Sequence, residues 1–375
     1  MLKVGVDIRD LQKAQTGTKT YLEEVCREFK KINAEDVKFY YIDTVVPVYY
    51  GNNKFLRYIE HVRFQLWKQL VLPFKARIRG CRVLFCTDSF VPLLRLGLKT
   101  IPVMHDAFFF ESPQDFGRLW LDIFYKLGVP AVKRASFIVT PTQYAKKQIK
   151  HFINLPDDKL VVVYEGPKQL NYAINNNGSD LLAKFNLTPQ KYLLYVGAMY
   201  RRKNIPRLID SFALVKQQNA DTNLKLVLTG GVPINNTDNS YQEILNAIKV
   251  NHLEESVLLT GYLSDADLST IYQKSLMYVF PSLNEGFGIP VLEAFKNDLP
   301  VLIANNTCLP EVGGDAVVSF NPWDTNDIAA KIQLVLHDEE LRGQMIQKGR
   351  ERLMLFSWKN TADDLIAIFK RAAGV

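Results

Sequence analysis

Two glutamates flank a glycine-containing turn in the C-terminal half of the chain. Glu285 and Glu293 are separated by seven residues, which include a Gly-Phe-Gly turn at 286–288 and Pro290. Glycine lets backbone amides approach a ligand closely, and proline suits the first turn of a helix, whose amino terminus attracts anions. A carboxylate here can also accept two hydrogen bonds from the vicinal hydroxyls of a ribose. Taken alone, a Gly-x-Gly pattern favours an ordinary strand-to-helix turn with solvated acids, because such loops are common.

Two adjacent cations, Arg202 and Lys203, stand at the start of another helical segment. Arginine offers phosphate a planar fork of donors, and lysine offers a compact charge. Positive charge at a helix amino terminus opposes the helix dipole, so it needs a compensating partner. Bound phosphate would be such a partner, and an ordinary basic helix start is the alternative.

These segments resemble the retaining glycosyltransferases of family 4, which adopt the GT-B fold. The family's Glu-x7-Glu motif matches residues 285–293, and its phosphate-binding segment is similar to Val196-Gly197 followed by Arg202-Lys203-Asn204. Gly261-Tyr262-Leu263 also looks like a family segment. The stretch LPEVGGDA at 309–316 is similar to members that transfer mannose, rhamnose or related sugars in bacterial surface-polysaccharide assembly.

The resemblance implies an α/β protein with two Rossmann-like, doubly wound domains that face each other across a cleft. The N-terminal domain would comprise residues 1–168 and bind the acceptor, and a C-terminal helix at 358–375 would cross back onto it. Residues 169–357 would bind the nucleotide sugar. The implied reaction is retaining hexose transfer from a nucleotide-diphosphate sugar, with GDP-mannose the first expectation, to a glycan or lipid-linked acceptor. It would need neither a metal nor another cofactor.

The resemblance also assigns tasks to single residues. Arg202 and Lys203 would neutralise the departing diphosphate, and Glu285 would position donor-sugar hydroxyls. His105, at the end of a predicted strand, would contact the donor sugar; a hydrogen-bonded core histidine is the alternative. The expected catalytic residues are Arg202, Lys203, Glu285 and His105, and the expected donor-binding residues are Gly17, Gly197, Gly286, Phe287, Gly288 and Glu293.

Short apolar runs alternate with helix-period segments, which favours two successive parallel sheets. The tract at 166–190 contains no strand pattern and separates the two series. The predicted strands are Leu2–Ile8, Val37–Ile42, Val83–Cys86, Thr100–Met104, Phe137–Thr140 and Leu160–Val163, and then Tyr192–Val196, Leu224–Leu228, Val257–Leu259, Met277–Phe280, Val301–Ile303 and Ala316–Phe320.

The positive charge is concentrated in the N-terminal half. Residues 1–185 contain 28 Lys and Arg against 18 Asp and Glu, a net +10, whereas residues 186–375 carry −3. Residues 54–79 contain seven basic residues, one acid and apolar residues at helical spacing. This segment fits two interpretations: a basic amphipathic face on anionic lipid, or a domain helix whose apolar stripe faces the core. No nucleic-acid recognition module is evident.

Other classes are disfavoured. The first strand is not followed by Gly-x-Gly-x-x-Gly, which argues against a dinucleotide-dependent oxidoreductase. Asp265 and Asp267 follow Ser264 in a helix-capping pattern, which we favour over a metal-binding Asp-x-Asp. The four cysteines match no metal-ligand spacing and are expected to be free core thiols. A nucleotide-sugar epimerase of the same fold and a non-catalytic sugar-nucleotide-binding protein remain alternatives.

The expected location is the cytoplasm. The opening residues have a charged strand pattern rather than that of a signal peptide, and no apolar run is long enough to span a bilayer. If residues 54–79 contact lipid, the protein would lie at the inner face of the membrane.

Overall fold

The structure is a computed structural model that describes residues 1–12, 17–32, 36–49, 51, 53–169, 178–218, 223–232 and 240–375. These residues form two compact units. The first comprises Met1–Glu165 with Ser357–Val375, and the second comprises Gly166–Phe356. Residues 170–177 of the tract expected to separate the domains lie outside the described residues.

The first unit contains six parallel strands. β1, β3 and β4 lie side by side with β2 on the outer edge of β1, in the order β2-β1-β3-β4, and β5 pairs with β6. A bridge between Val103 and Val139 joins the two groups. The strand order reverses between β1 and β3, so the unit is doubly wound, as expected. The strands are β1 (Leu2–Asp7), β2 (Val37–Ile42), β3 (Val83–Cys86), β4 (Lys99–Pro102), β5 (Ile138–Thr140) and β6 (Leu160–Val162).

Helices cover the sheet of the first unit. They are α1 (Gly17–Lys31), α2 (Lys54–Leu66), α3 (Leu72–Ile78), α4 (Phe108–Glu111), α5 (Arg118–Ile123), α6 (Val129–Lys133) and α7 (Gln143–Ile153). A π-helical turn, Trp67–Val71, joins α2 to α3 and precedes Pro73. Proline has no N–H to bond the carbonyl four residues earlier and its ring crowds that carbonyl, so a widened turn accommodates it. The same arrangement recurs at Phe124–Gly128 before Pro130.

The helix over residues 54–78 overturns one of the two sequence interpretations. The apolar residues that recur at helical spacing are exposed to solvent; the exposed fraction is 69% for Phe55 and 49% for Leu66. The side chains that pack into the unit are instead Trp67, Leu72 and Ala76. The expectation of a core-facing apolar stripe is therefore wrong.

The second unit contains six parallel strands in the order β12-β11-β10-β7-β8-β9. This is the doubly wound Rossmann arrangement, and its order reverses between β7 and β10. Both central strands are buried along their whole length, which explains their uninterrupted apolar sequences. The strands are β7 (Tyr192–Val196), β8 (Lys225–Thr229), β9 (Val257–Gly261), β10 (Met277–Phe280), β11 (Val301–Ala304) and β12 (Val317–Phe320).

The remaining helices complete the chain. Those of the second unit are α8 (Gly178–Lys184), α9 (Ile205–Gln218), α10 (Ser240–Val250), α11 (Asp265–Lys274), α12 (Ile289–Lys296), α13 (Leu309–Gly313), α14 (Thr325–His337) and α15 (Glu339–Leu353). The last helix, α16 (Trp358–Ala373), begins at the N-cap Ser357 and belongs to the first unit. Its Phe369 packs against Phe29 and Phe85 beneath β3. Among the described residues, no helix has both the length and the apolar character needed to cross a bilayer.

Candidate functional site

The functional residues expected in the second unit converge where its strand order reverses. Gly197 directly follows β7, and a 3₁₀ turn at Arg201–Lys203 leads into α9. The loop at 281–288 leads from β10 into α12. Because β7 and β10 are parallel neighbours, both connections leave the same edge of the sheet. Open α/β sheets bind ligands at this position.

A buried charge cluster joins the two connections. The ammonium of Lys203 lies 2.5 Å from Oε1 of Glu285, and Nη1 of Arg202 lies 3.6 Å from the same oxygen. The hydroxyl of Ser282 donates to that oxygen at 2.6 Å. The ring of Phe280 lies 5.0 Å from the Lys203 ammonium. The carboxylate is thus surrounded by donors, and both cations lie beside the same carboxylate oxygen.

The cluster sets the ionisation of its members. Burial by itself would raise the pKa of Glu285, but attraction by Lys203 and Arg202 holds it below its ordinary value. Burial lowers the pKa of Lys203, the neighbouring Arg202 lowers it further, and Glu285 opposes both. Glu285 is therefore a carboxylate at neutral pH, and the ammonium of Lys203 depends on an anion beside it.

The side chain of Asn204 ties the connection after β7 to two other backbone segments. Its backbone is left-handed, with φ of 58°, a conformation that asparagine tolerates. Its Nδ2 donates to the carbonyl of Pro281 at 3.2 Å and to that of Pro322 at 2.7 Å. The N–H of Leu283 in turn donates to the carbonyl of Arg202 at 2.8 Å. These bonds hold the cations in place relative to Glu285.

The turn before α12 requires glycine at its last position. Gly288 has φ of 103°, and a Cβ there would lie 3.0 Å from a methyl group of Leu309. The thiol of Cys308 lies 3.2 Å from the carbonyls of both Glu285 and Phe287, so it supports the turn from below. All four cysteines are buried and free, as predicted.

The connection after β7 also passes very close to the one after β8. A Cβ on Gly230 would lie 2.0 Å from the carbonyl oxygen of Gly197. Only glycine allows this approach, because no side chain fits between the two backbones. Gly230 therefore helps to shape the turn that contains Gly197.

Glu293 has a different environment from Glu285. It lies on α12, is 6% exposed, and accepts a hydrogen bond of 2.9 Å from the hydroxyl of Tyr272. Burial raises its pKa to about 6, against the opposing effects of Tyr272 and Lys168. The pKa values of the two glutamates are thus shifted in opposite directions, a division often found where two carboxyl groups have different tasks.

Asp265 and Asp267 have helix-capping and pairing roles. The hydroxyl of Ser264 accepts the N–H of Asp267 at 3.2 Å, which confirms the predicted cap of α11. Asp265 forms an ion pair of 2.7 Å with Lys168.

Two of the expected site residues lie in the first unit. His105 follows β4, and Gly17 begins α1. Nε2 of His105 is 3.1 Å from the carbonyl of Thr87, and Nδ1 is 3.3 Å from the carboxylate of Glu165. Burial by itself would lower the pKa of His105, but Glu165 outweighs it and raises the pKa. Since both neighbouring oxygens are acceptors, these surroundings favour the protonated ring, in which both nitrogens donate.

The family Glycosyl transferases group 1 matches residues 180–352, the segment that contains Arg202, Lys203 and both glutamates. This segment is a group 1 glycosyl transferase domain, and the chain is a glycosyltransferase.

Two relatives of this glycosyltransferase come from Escherichia coli. It is 29% identical over 276 residues to O-antigen chain mannosyltransferase B, covering 72% of this chain and 70% of that protein. It is 30% identical over 294 residues to serotype-specific mannosyltransferase WbdA, covering 76% of this chain but only 35% of the relative. The chain thus spans about a third of WbdA.

Similarity to solved structures confirms the GT-B fold. A sucrose-phosphate synthase from Thermosynechococcus elongatus matches over 99% of both chains with a TM-score of 0.75 and 17% sequence identity. At this identity the match concerns the fold alone.

Several residues that shape the site of the glycosyltransferase were not identified from its sequence as site residues. Ser282, Asn204 and Tyr272 each bond a functional group or the backbone beside one, and Gly230 and Cys308 support the turns. The available signals were weak: asparagine directly after two cations, and glycine directly after a strand. The partners of Ser282 and Tyr272 lie on other segments and follow no sequence periodicity.

Proposed function

We propose that this glycosyltransferase moves a hexose from a nucleotide-diphosphate sugar to a glycan or lipid-linked acceptor, with retention of anomeric configuration. The observation that carries the proposal is the buried contact of Lys203 and Arg202 with Glu285 where β7 and β10 diverge. It places two cations at the position where an open α/β sheet would receive a diphosphate.

The reaction breaks the bond between the sugar C1 and the diphosphate oxygen, and negative charge grows on the leaving phosphate. Lys203 and Arg202 would neutralise this charge in a water-poor site, where fixed cations are most effective. A phosphate that binds Lys203 competes with Glu285 for the ammonium. Displaced from Lys203, the Glu285 carboxylate would accept hydrogen bonds from donor-sugar hydroxyls.

Retention would follow from attack on the face that the diphosphate leaves. The acceptor hydroxyl forms the new bond to C1, and its proton passes to an oxygen of the departing phosphate. This route needs no covalent glycosyl-enzyme. Backbone N–H groups of the 286–288 turn and the amino terminus of α12 would add partial positive charge beside the donor.

GDP-mannose is the donor that we propose first, and cell-surface polysaccharide assembly is the proposed context. Both proposals are supported by relatives named as mannosyltransferases, one of which is named for the O-antigen chain. We also propose that no metal ion takes part, because Lys203 and Arg202 supply the charge that a metal would otherwise provide. We place the protein on the cytoplasmic side, at the inner face of a membrane, where a lipid-linked acceptor is accessible.

The test is hexose transfer from radiolabelled GDP-mannose to p-nitrophenyl α-mannoside in the presence of EDTA, with UDP-glucose as a comparison donor. Replacing Arg202 and Lys203 together by alanine should lower kcat by more than about 100-fold. Arg201→Ala is the matched control, because Arg201 lies in the same turn but pairs with the exposed Glu243. That variant should keep nearly full activity.

Other outcomes would identify other functions. Conversion of the sugar nucleotide without an acceptor would indicate an epimerase. Nucleotide binding with no turnover of any donor would indicate a binding protein. Undiminished transfer by the Arg202→Ala/Lys203→Ala variant would contradict the proposed role of the cations, and an absolute requirement for Mg²⁺ or Mn²⁺ would contradict the metal-free mechanism.

A further inference from the structure

The helix over residues 54–78 exposes apolar side chains along its whole length. We call this set the apolar stripe: Phe55, Tyr58, Ile59, Val62, Leu66, Leu70, Phe74 and Ile78. All eight are exposed, from 37% for Ile59 to 83% for Ile78. Single exposed apolar residues are common on soluble proteins, but a continuous row of this length marks an interaction surface.

The π-helical turn keeps the stripe on one side of the helix. The exposed residues continue through the turn and past it at steps of four, at Leu66, Leu70, Phe74 and Ile78. Within the turn, Trp67 and Lys68 point into the unit, where Lys68 pairs with Asp7 and Asp88. The helix is thus anchored on its inner side while its outer side stays apolar over about 37 Å.

A shallow apolar groove widens the stripe. It has a volume of about 390 Å³ and is lined by Tyr58, Val62 and Leu66 from α2 and by Leu119 and Ile123 from α5. Leu119 is itself 52% exposed. The outward apolar surface therefore extends beyond a single helix.

The charges of residues 54–79 are sorted by sign. The one acid of the segment, Glu60, is 7% exposed and pairs with Arg9 and Arg63. Three arginines are exposed near the two ends of the stripe: Arg57 near the first, and Arg77 and Arg79 near the second. An apolar strip with basic ends matches a lipid surface, whose acyl boundary accepts the strip and whose anionic headgroups accept the arginines.

We propose that the apolar stripe docks the N-terminal unit onto an anionic lipid bilayer, with the helix lying in the plane of the interface. This deepens the proposed function and rests on it for the reason to approach a membrane, the lipid-linked acceptor. The charge pattern favours lipid over a second copy of the chain. Two stripes paired around a twofold axis would bring Arg57 of each copy towards Arg77 and Arg79 of the other, and like charges would oppose the contact.

The test is cosedimentation of the full chain with phosphatidylcholine vesicles, with or without 30% phosphatidylglycerol. We expect binding to the anionic vesicles that weakens when salt is raised from 0.1 to 0.5 M, because exposed charges are then screened. Leu66→Glu with Phe74→Glu should weaken binding more than about tenfold, since both side chains are half exposed and would enter the acyl boundary. Arg77→Glu with Arg79→Glu should abolish the preference for phosphatidylglycerol.

The matched control is Lys249→Glu with Val250→Glu, which also introduces two glutamates, at an exposed basic and apolar pair of the second unit, and changes the net charge by an amount between those of the two test variants. It should bind vesicles like the wild type. All variants should transfer hexose to the water-soluble acceptor at the wild-type rate, so a failure of docking is distinguishable from a failure of the proposed function. The proposal is overturned if the wild type ignores anionic vesicles, if the Leu66/Phe74 variant binds them equally well, or if the stripe instead forms a dimer that this variant dissociates.

Discussion

The ammonium of Lys203 and the carboxylate of Glu285 are 2.5 Å apart, and each side chain is only 10% exposed. The contact joins residues that are 82 positions apart in the chain. We assign these residues different tasks, phosphate neutralisation for Lys203 and sugar-hydroxyl binding for Glu285. Their contact means that each can fulfil its task only when the donor takes the place of the other. The proposed mechanism therefore requires an exchange of partners.

Glu285→Gln should lower the stability of the protein but strengthen nucleotide binding. The variant leaves a buried ammonium without its anion, so the free energy of unfolding should fall by about 3 kcal/mol. A diphosphate no longer competes with a carboxylate, so GDP should bind more tightly and restore part of the lost stability. Urea denaturation with and without GDP measures both effects.

The hexose-transfer rate of Glu285→Gln should also fall, because the carboxylate that we propose to bind donor-sugar hydroxyls is gone. Asp315→Asn is the control, since Asp315 forms an exposed ion pair with Lys348. This variant should change neither the free energy of unfolding nor GDP binding. Weaker GDP binding by Glu285→Gln would show that the two anions do not compete.

Asn204→Asp should loosen the connection after β7. The variant keeps a side chain that tolerates the left-handed backbone, but it replaces the donor that serves two carbonyls with a carboxylate that repels them. We expect a loss of about 2–4 kcal/mol in the free energy of unfolding and weaker donor binding. Asn186→Asp is the matched control, because Asn186 is also left-handed but exposed. An equal loss of stability in the two variants would refute the proposal that the Asn204 hydrogen bonds hold the connection after β7 in place.

The strands were readable from the sequence because parallel strands buried on both faces are continuous apolar runs. β7 and β10 begin and end where their apolar runs predict. The surroundings of the apolar face of an amphipathic helix could not be predicted, since periodicity shows which residues share a face but not what that face contacts. This is why Phe55 and Leu66 were compatible with a core. Partners across the chain, such as Lys203 with Glu285 or His105 with Glu165, depend on the sheet order, which no local pattern encodes.

Glu165→Gln should lower the pKa of His105. The raised pKa depends on the charge and hydrogen bond of Glu165, and without them burial alone acts on the ring. Because folding raises this pKa, the stability that the pair contributes is fully present below about pH 6.5, the ordinary value for histidine, and is lost as the pH rises through the raised value. The variant should therefore lose more stability at pH 5.5 than at pH 9.

Titration of the His105 ring by NMR, together with denaturation at the two pH values, measures both effects. Asp158→Asn, an exposed acid of the same unit, should leave the His105 titration unchanged. A His105 pKa unaffected by Glu165→Gln would show that other groups raise it.

Glu293→Gln should make the protein more stable at neutral pH and less able to bind its donor. Folding raises the pKa of Glu293 from 4.5 to about 6, so the folded chain binds more protons than the unfolded chain between these values. Stability consequently falls as the pH rises from about 4.5 to 6, and above this range the buried charge costs about 2 kcal/mol. Glutamine removes this cost and can still accept the hydrogen bond of Tyr272.

If Glu293 binds ribose hydroxyls, the variant should also bind GDP less tightly, because a neutral amide is the weaker acceptor. Denaturation curves from pH 4.5 to 8 and GDP titrations measure the two effects, with Tyr272→Phe as the control that removes the hydrogen bond but keeps the carboxyl group. A variant that gains stability but binds GDP as well as the wild type would leave Glu293 a buried carboxyl group with no part in donor recognition.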